Sequence, residues 1–208
     1  MRPLEIVRQK TYWILDSMKG SPIGKQLSDI DSIMSEKSVK DKDVKMNGYV
    51  NDILKYATLH VPFYRSFDGK KRLEVFPVVN KNIIRDNEAQ FLSDEFDKSC
   101  LAVRETSGST GMPFSVYQDA RKRQRATADT LWFSKIAHYE LGTRLYFSRV
   151  WDKKTTRSKW QCLRQNWVLH DASSLSDESI EGFVTQLEKD CSTKTVIIFA
   201  SSLTSIAK

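Results

Sequence analysis

The run Thr106-Ser107-Gly108-Ser109-Thr110-Gly111-Met112-Pro113 limits what this chain can fold into more than any other stretch. Six small or hydroxylated residues in succession cannot fill a core. In a tight loop, they present free backbone N–H groups and hydroxyls that can wrap a phosphate chain. Short apolar segments lie on both sides, at residues 101–103 and at Phe114-Ser115-Val116-Tyr117. The loop is therefore expected at the tip of a β-hairpin, with a long helix starting near Asp119. The layout suggests a nucleotide-phosphate loop. It is not a Walker A loop, because no Lys-Ser or Lys-Thr follows the glycines.

The elements around it predict an α/β chain. Residues 5–18 read as a helix with Ile6, Trp13 and Ile14 as its apolar positions, ended by Gly20-Ser21-Pro22. Residues 23–34 are a weaker helix, followed by a polar connection at 35–45. Residues 47–60 carry Val50, Ile53, Leu54 and Ala57 on one apolar face. A short extended segment at 75–79 precedes a small helix at 81–87 that Asn80 can cap. The strongest helix spans 119–140, with Ala128, Leu131, Trp132, Ile136 and Tyr139 on one side and Gly142 as its stop. Strands are expected at 144–150, 167–169 and 195–200, the last fully apolar as inside a covered sheet. Between the last two, Ser176 caps a helix running through Lys189, with Ile180, Phe183, Val184 and Leu187 as its buried stripe. The order strand, helix, strand from residue 144 onward argues for parallel pairing.

Bulk properties narrow the partners. Of 208 residues, 40% are hydrophobic and 28% charged, which is globular rather than disordered material. No run of about 18 apolar residues exists, so no membrane span is expected. The start does not read as a signal peptide. Cys100, Cys162 and Cys191 are widely spaced and form no CxxC pair. They read as reduced structural thiols of a cytoplasmic protein, with neither a disulfide framework nor a zinc site. The net charge of +7 raises anionic partners. Acids alternate with bases at 37–45 and 94–98, however, and this spread argues against nucleic-acid binding.

Several residues are candidates for anion contact. Arg121, Lys122, Arg123 and Arg125 crowd the first turns of the helix after the loop, where cations oppose the helix dipole. That cost points to a nearby anion, with Arg121 and Arg125 the best placed and Arg104 on the other side of the loop. The bland alternative is a solvated face whose long stems cover apolar surface. His60, His138 and His170 have no ligand partner at i+4, so no metal is assigned. Ser107 with a distant His lacks the Gly-x-Ser-x-Gly elbow of a hydrolase.

These motifs, taken in order, resemble a family. The loop 106–113 is similar to the phosphate loop of adenylate-forming enzymes. Leu54-Lys55-Tyr56-Ala57 with His60-Val61-Pro62-Phe63-Tyr64-Arg65, and then Phe76-Pro77-Val78-Val79-Asn80-Lys81, resemble the N-terminal signature of the phenylacetate–CoA ligase group. Val116-Tyr117-Gln118-Asp119 and Tyr139-Glu140-Leu141-Gly142 are similar to its capsular polysaccharide biosynthesis branch. The resemblance implies activation of a small-molecule carboxylate by ATP and Mg²⁺, giving an acyl-adenylate and pyrophosphate. A thiol such as coenzyme A then takes the acyl group. Thr106, Ser107, Gly108, Ser109, Thr110 and Gly111 would hold the β- and γ-phosphates, their N–H groups and hydroxyls stabilising charge on the leaving pyrophosphate.

Two departures stand out. Phe114 follows Pro113 where many family loops carry Lys. Family members are also much longer, and neither a Tyr-Gly-x-Thr-Glu-type motif nor the lysine of the family's C-terminal domain is found before Lys208. The expected organisation is a helical extension at 1–46 and an incomplete N-terminal portion of an adenylate-forming domain at 47–208, not competent alone. The competing expectation is a non-catalytic subunit or truncated remnant whose unfinished sheet is completed by a second polypeptide.

Overall fold

The computed structural model describes residues 2–106, 114–151, 156–173 and 176–206. In chain order the elements are α1 (Pro3–Met18), α2 (Pro22–Met34), α3 (Val39–His60), α4 (Lys81–Asp86), α5 (Glu88–Phe91), β1 (Ala102–Thr106), β2 (Phe114–Gln118) and α6 (Ala120–Ile136). They continue with β3 (Arg144–Arg149), α7 (Lys159–Gln165), β4 (Trp167–Asp171), α8 (Asp177–Lys189), β5 (Lys194–Ile198) and α9 (Ala200–Ile206). The chain forms two compact units, Met1–Gly24 with Asp129–Lys208, and Lys25–Ala128.

The first unit is built on a three-stranded parallel sheet of order β4-β3-β5. Central β3 is covered on both faces. On one face Tyr146, only 2% exposed, donates its hydroxyl to Asp190 Oδ2 at 2.8 Å, and Phe183 of α8 stacks on His170 at 4.2 Å. On the other, Phe147 meets Trp151 and Trp167 edge-on, at 5.2 and 5.9 Å. Ser176 caps α8 as expected, its hydroxyl accepting from the Ser179 N–H at 3.3 Å. The expectation of a covered last strand is corrected. Val196 and Ile197 are exposed, because β5 pairs with β3 alone among the described residues. Helix α7 is unanticipated. Ser158 and Gln161 start it by capping each other's backbone N–H.

Two further differences concern chain reversals in this unit. The helix expected to reach residue 140 stops at Ile136. His138 adopts φ 59° and the Tyr139 N–H donates to the Ser134 carbonyl at 2.9 Å, closing the end in a Schellman-like wrap. Tyr139 is buried, but beyond the helix. Gly142, expected as the stop, instead turns the chain into β3 at φ 95°. A Cβ there would lie 2.5 Å from the Glu5 carbonyl oxygen of α1.

Helix α1 opens on a capping arrangement in which Glu5 accepts from the Arg2 N–H at 2.7 Å. Pro22 begins α2, whose first N–H groups are capped by Asp16: Ile23 and Gly24 donate to its carboxylate at 3.1 and 2.9 Å. All five tryptophans, Trp13, Trp132, Trp151, Trp160 and Trp167, belong to this unit.

In the second unit, α3 begins eight residues before the expected 47, on a Ser38 hydroxyl that accepts from the Asp41 N–H at 3.2 Å. The charged run 39–45 is helical because Lys forms helix nearly as well as Leu, although its two apolar residues, Val39 and Val44, are exposed. Leu54 is buried and Val50 and Ala57 half-buried, but Ile53, expected on the same face, is 67% exposed. Asn80 caps α4 as expected, accepting from Asn82 and Ile83 N–H, both at 3.0 Å. Phe63 stacks on Phe91 at 4.1 Å, and Phe67 on Phe76 at 5.2 Å. Strands β1 and β2 pair antiparallel from Ala102↔Gln118 to Thr106↔Phe114, which makes the expected hairpin.

Candidate functional site

The hairpin borders a cleft of about 870 Å³ that is contained in the Lys25–Ala128 unit. Helix α3 contributes Tyr49, Asp52, Ile53 and Tyr56. The opposite side comes from Glu88 and Phe91 of α5, Val116 and Tyr117 of β2, and Asp119, Arg121 and Lys122 at the start of α6. The apolar Ile53 therefore faces the cleft rather than the core.

Glu88 organises the β2 side. It accepts from the Tyr117 hydroxyl at 2.9 Å and pairs with Lys98, whose Nζ lies 4.7 Å from the Tyr117 ring centroid. The bond from Lys98 holds the Glu88 carboxyl below its usual range, and the bond to Glu88 in turn raises Lys98. On the α3 side, Tyr56 shares a 2.8 Å hydrogen bond with Ser93, and burial raises its phenol. Tyr56 also packs on His60, whose Nδ1 lies 3.2 Å from Asp94 and Nε2 3.5 Å from Glu95. The bond from His60 is the main influence holding the Asp94 carboxyl low, helped by Arg65 against a smaller penalty from burial.

The residues singled out in the sequence separate. Arg121 lines the cleft. Arg125 donates to Asp29 Oδ2 at 2.7 Å and to Gln26 Oε1 at 3.4 Å. Arg104 is exposed on β1 opposite Val116. Thr106 ends β1, while Ser107, Gly108, Ser109, Thr110 and Gly111 lie outside the described residues. The anion required by the cations of α6 is partly internal. Asp119 accepts from the Lys122 N–H at 2.7 Å, and Asp29 meets Arg125. The Glu88–Lys98–Tyr117 group carried no sequence signal, because its members come from separate elements with no fixed spacing; Tyr56 and His60 stand at i and i+4 on α3, and only Asp94 comes from elsewhere.

The chain matches no family model, no curated protein and no solved structure.

The cleft's own side chains set its chemistry. Asp52, Glu88, Glu95 and Asp119 stand against Arg121 and Lys122 in the lining. Of these acids, Glu88 is paired with Lys98, and Glu95 lies 3.5 Å from His60 Nε2. Among the described residues no group of three His, Cys, Asp or Glu could hold a metal ion. Elsewhere, Ser148 Oγ lies 2.8 Å from His170 Nδ1, but Ser148 is buried beneath α8 and burial lowers the His170 pKa. The pair ties β3 to β4 rather than facing a substrate. Cys100, Cys162 and Cys191 are free thiols. Cys100 and Cys191 are exposed, and Cys162 is half-buried. Among the described residues no helix is long and apolar enough to cross a membrane.

Proposed function

We propose that this chain takes part in ATP-dependent activation of a carboxylate, with residues 106–111 holding the β- and γ-phosphates and the cleft beside β2 receiving the rest of the ligand. The observation that carries this reading is the antiparallel pairing of β1 with β2 up to Thr106↔Phe114. That pairing is what a seven-residue glycine- and hydroxyl-rich phosphate loop needs at its base. Arg121 at the cleft wall adds a cation, and the acidic lining favours the magnesium complex over free ATP.

The test is equilibrium binding of Mg·ATP to the purified chain. Ser107→Ala with Thr110→Ala is expected to weaken binding by about tenfold or more, the worth of one or two hydrogen bonds to a charged phosphate. Arg121→Ala is expected to weaken it by less. No binding at millimolar Mg·ATP, or binding indifferent to these changes, overturns the reading. Adenylate formation by the 208 residues alone would show that the chain is competent by itself, against expectation.

A second reading, a subunit completed by another polypeptide, is favoured by the exposed apolar residues Val196, Ile197 and Phe199 at the β5 edge. It predicts that the free chain aggregates and that Val196→Lys with Ile197→Lys relieves this. A soluble monomer that binds Mg·ATP argues against it.

A further inference from the structure

Helix α1 is turned the wrong way round for a helix that packs on a sheet. Its two acids are inside: Glu5 and Asp16 are 3% and 5% exposed, each engaged with backbone N–H groups. Its aliphatic residues are outside, Ile6 alone lying off the strip, while Tyr12 and Trp13 are half-buried. Leu4, Val7, Ile14, Leu15 and Met18 are all exposed, up to 78% at Met18. At the helical repeat they fall within an arc of about 100°. The orientation is fixed by contact, because the side of α1 that carries Glu5 and Gln9, with the Arg8 Cβ at its border, packs against the turn at Gly142.

The charges around this apolar strip have one sign. By helical angle Lys10 lies on one flank and Arg8 on the other, and Lys19 follows the last turn. No acid of α1 reaches the surface. Long cationic stems beside an apolar strip are suited to an interface where the strip enters hydrocarbon and the amines meet phosphate. The same charges count against a second copy, since pairing two such faces would set cation against cation.

We propose that α1 docks this protein on an anionic lipid surface, with Leu4, Val7, Ile14, Leu15 and Met18 entering the acyl boundary and Arg8, Lys10 and Lys19 meeting the head-group phosphates. This is peripheral attachment along the helix side, and it is independent of nucleotide binding in the other unit.

The experiment is flotation of the full chain with vesicles of phosphatidylcholine alone or with about a third phosphatidylglycerol. Flotation is expected only with the anionic vesicles, falling as salt rises. Lys10→Glu is expected to weaken partitioning by about fivefold or more, since each cation near such a surface is worth about that factor. Val7→Glu with Ile14→Glu is expected to abolish flotation with an unchanged circular dichroism spectrum, both positions being exposed. Three outcomes overturn the proposal. The wild-type chain does not float, it floats equally on neutral vesicles, or Lys10→Glu leaves it unaffected. A dimer dissolved by Val7→Glu, in a chain that does not float, identifies a second copy as the occupant instead.

Discussion

Gly142 shows how one residue can carry a contact between distant parts of the sequence. Its φ of 95° and the 2.5 Å approach of the Glu5 carbonyl leave no room for a side chain. Gly142→Ala is expected to cost about 1–3 kcal/mol from backbone strain, with the clash adding to it, read as a lower urea midpoint. Asp190 is expected to contribute to the acid limit of the same unit. Burial opposes its ionisation, but the Ser192 N–H at 2.8 Å, the Tyr146 hydroxyl and Arg144 outweigh burial and hold the carboxyl at about 2, against an ordinary 3.8. The folded pKa is the lower one, so the ionised carboxylate contributes stability above pH 3.8 that is lost as pH falls towards 2. Asp190→Asn should therefore flatten the dependence of the urea midpoint on pH across that window. A loss as steep as in the parent chain would assign the acid limit elsewhere.

Helix starts were easier to read than helix ends. Asn80 and Ser176 were legible because a short polar side chain before a helical run acts on N–H groups two or three residues away. Ser176→Ala is expected to cost about 1 kcal/mol and Ser176→Gly only a few tenths, measured by thermal or urea unfolding. The end of α6 was not legible. A left-handed stop at His138 has no residue-type mark, and the apolar pattern runs on through Tyr139 in a different conformation. The hairpin was legible from its two apolar arms, whereas the start of α3 was hidden by a charged first half that periodicity cannot register. The cleft itself could not be read. Ile53 keeps the helical spacing of a core residue, and only the packing of α3 decides that it faces the cleft.

At the scale of the molecule, the division into Met1–Gly24 with Asp129–Lys208, and Lys25–Ala128, joins segments that are far apart in sequence. Arg2 donates to the Cys191 carbonyl at 2.8 Å across 189 positions. Periodicity reports faces of single elements, so it carries no information about such pairings. The mixed α/β class followed from the order of elements. The parallel order β4-β3-β5 also explains why the last strand is more exposed than its composition suggested.

The distribution of tryptophan gives the molecule a built-in optical label. With all five indoles in one unit, tryptophan emission reports on the unit built on the sheet and not on the body that holds the cleft. Fluorescence and far-ultraviolet dichroism are therefore expected to give unfolding curves that do not coincide. The gap between them would measure how far the stability of the cleft depends on that of the sheet.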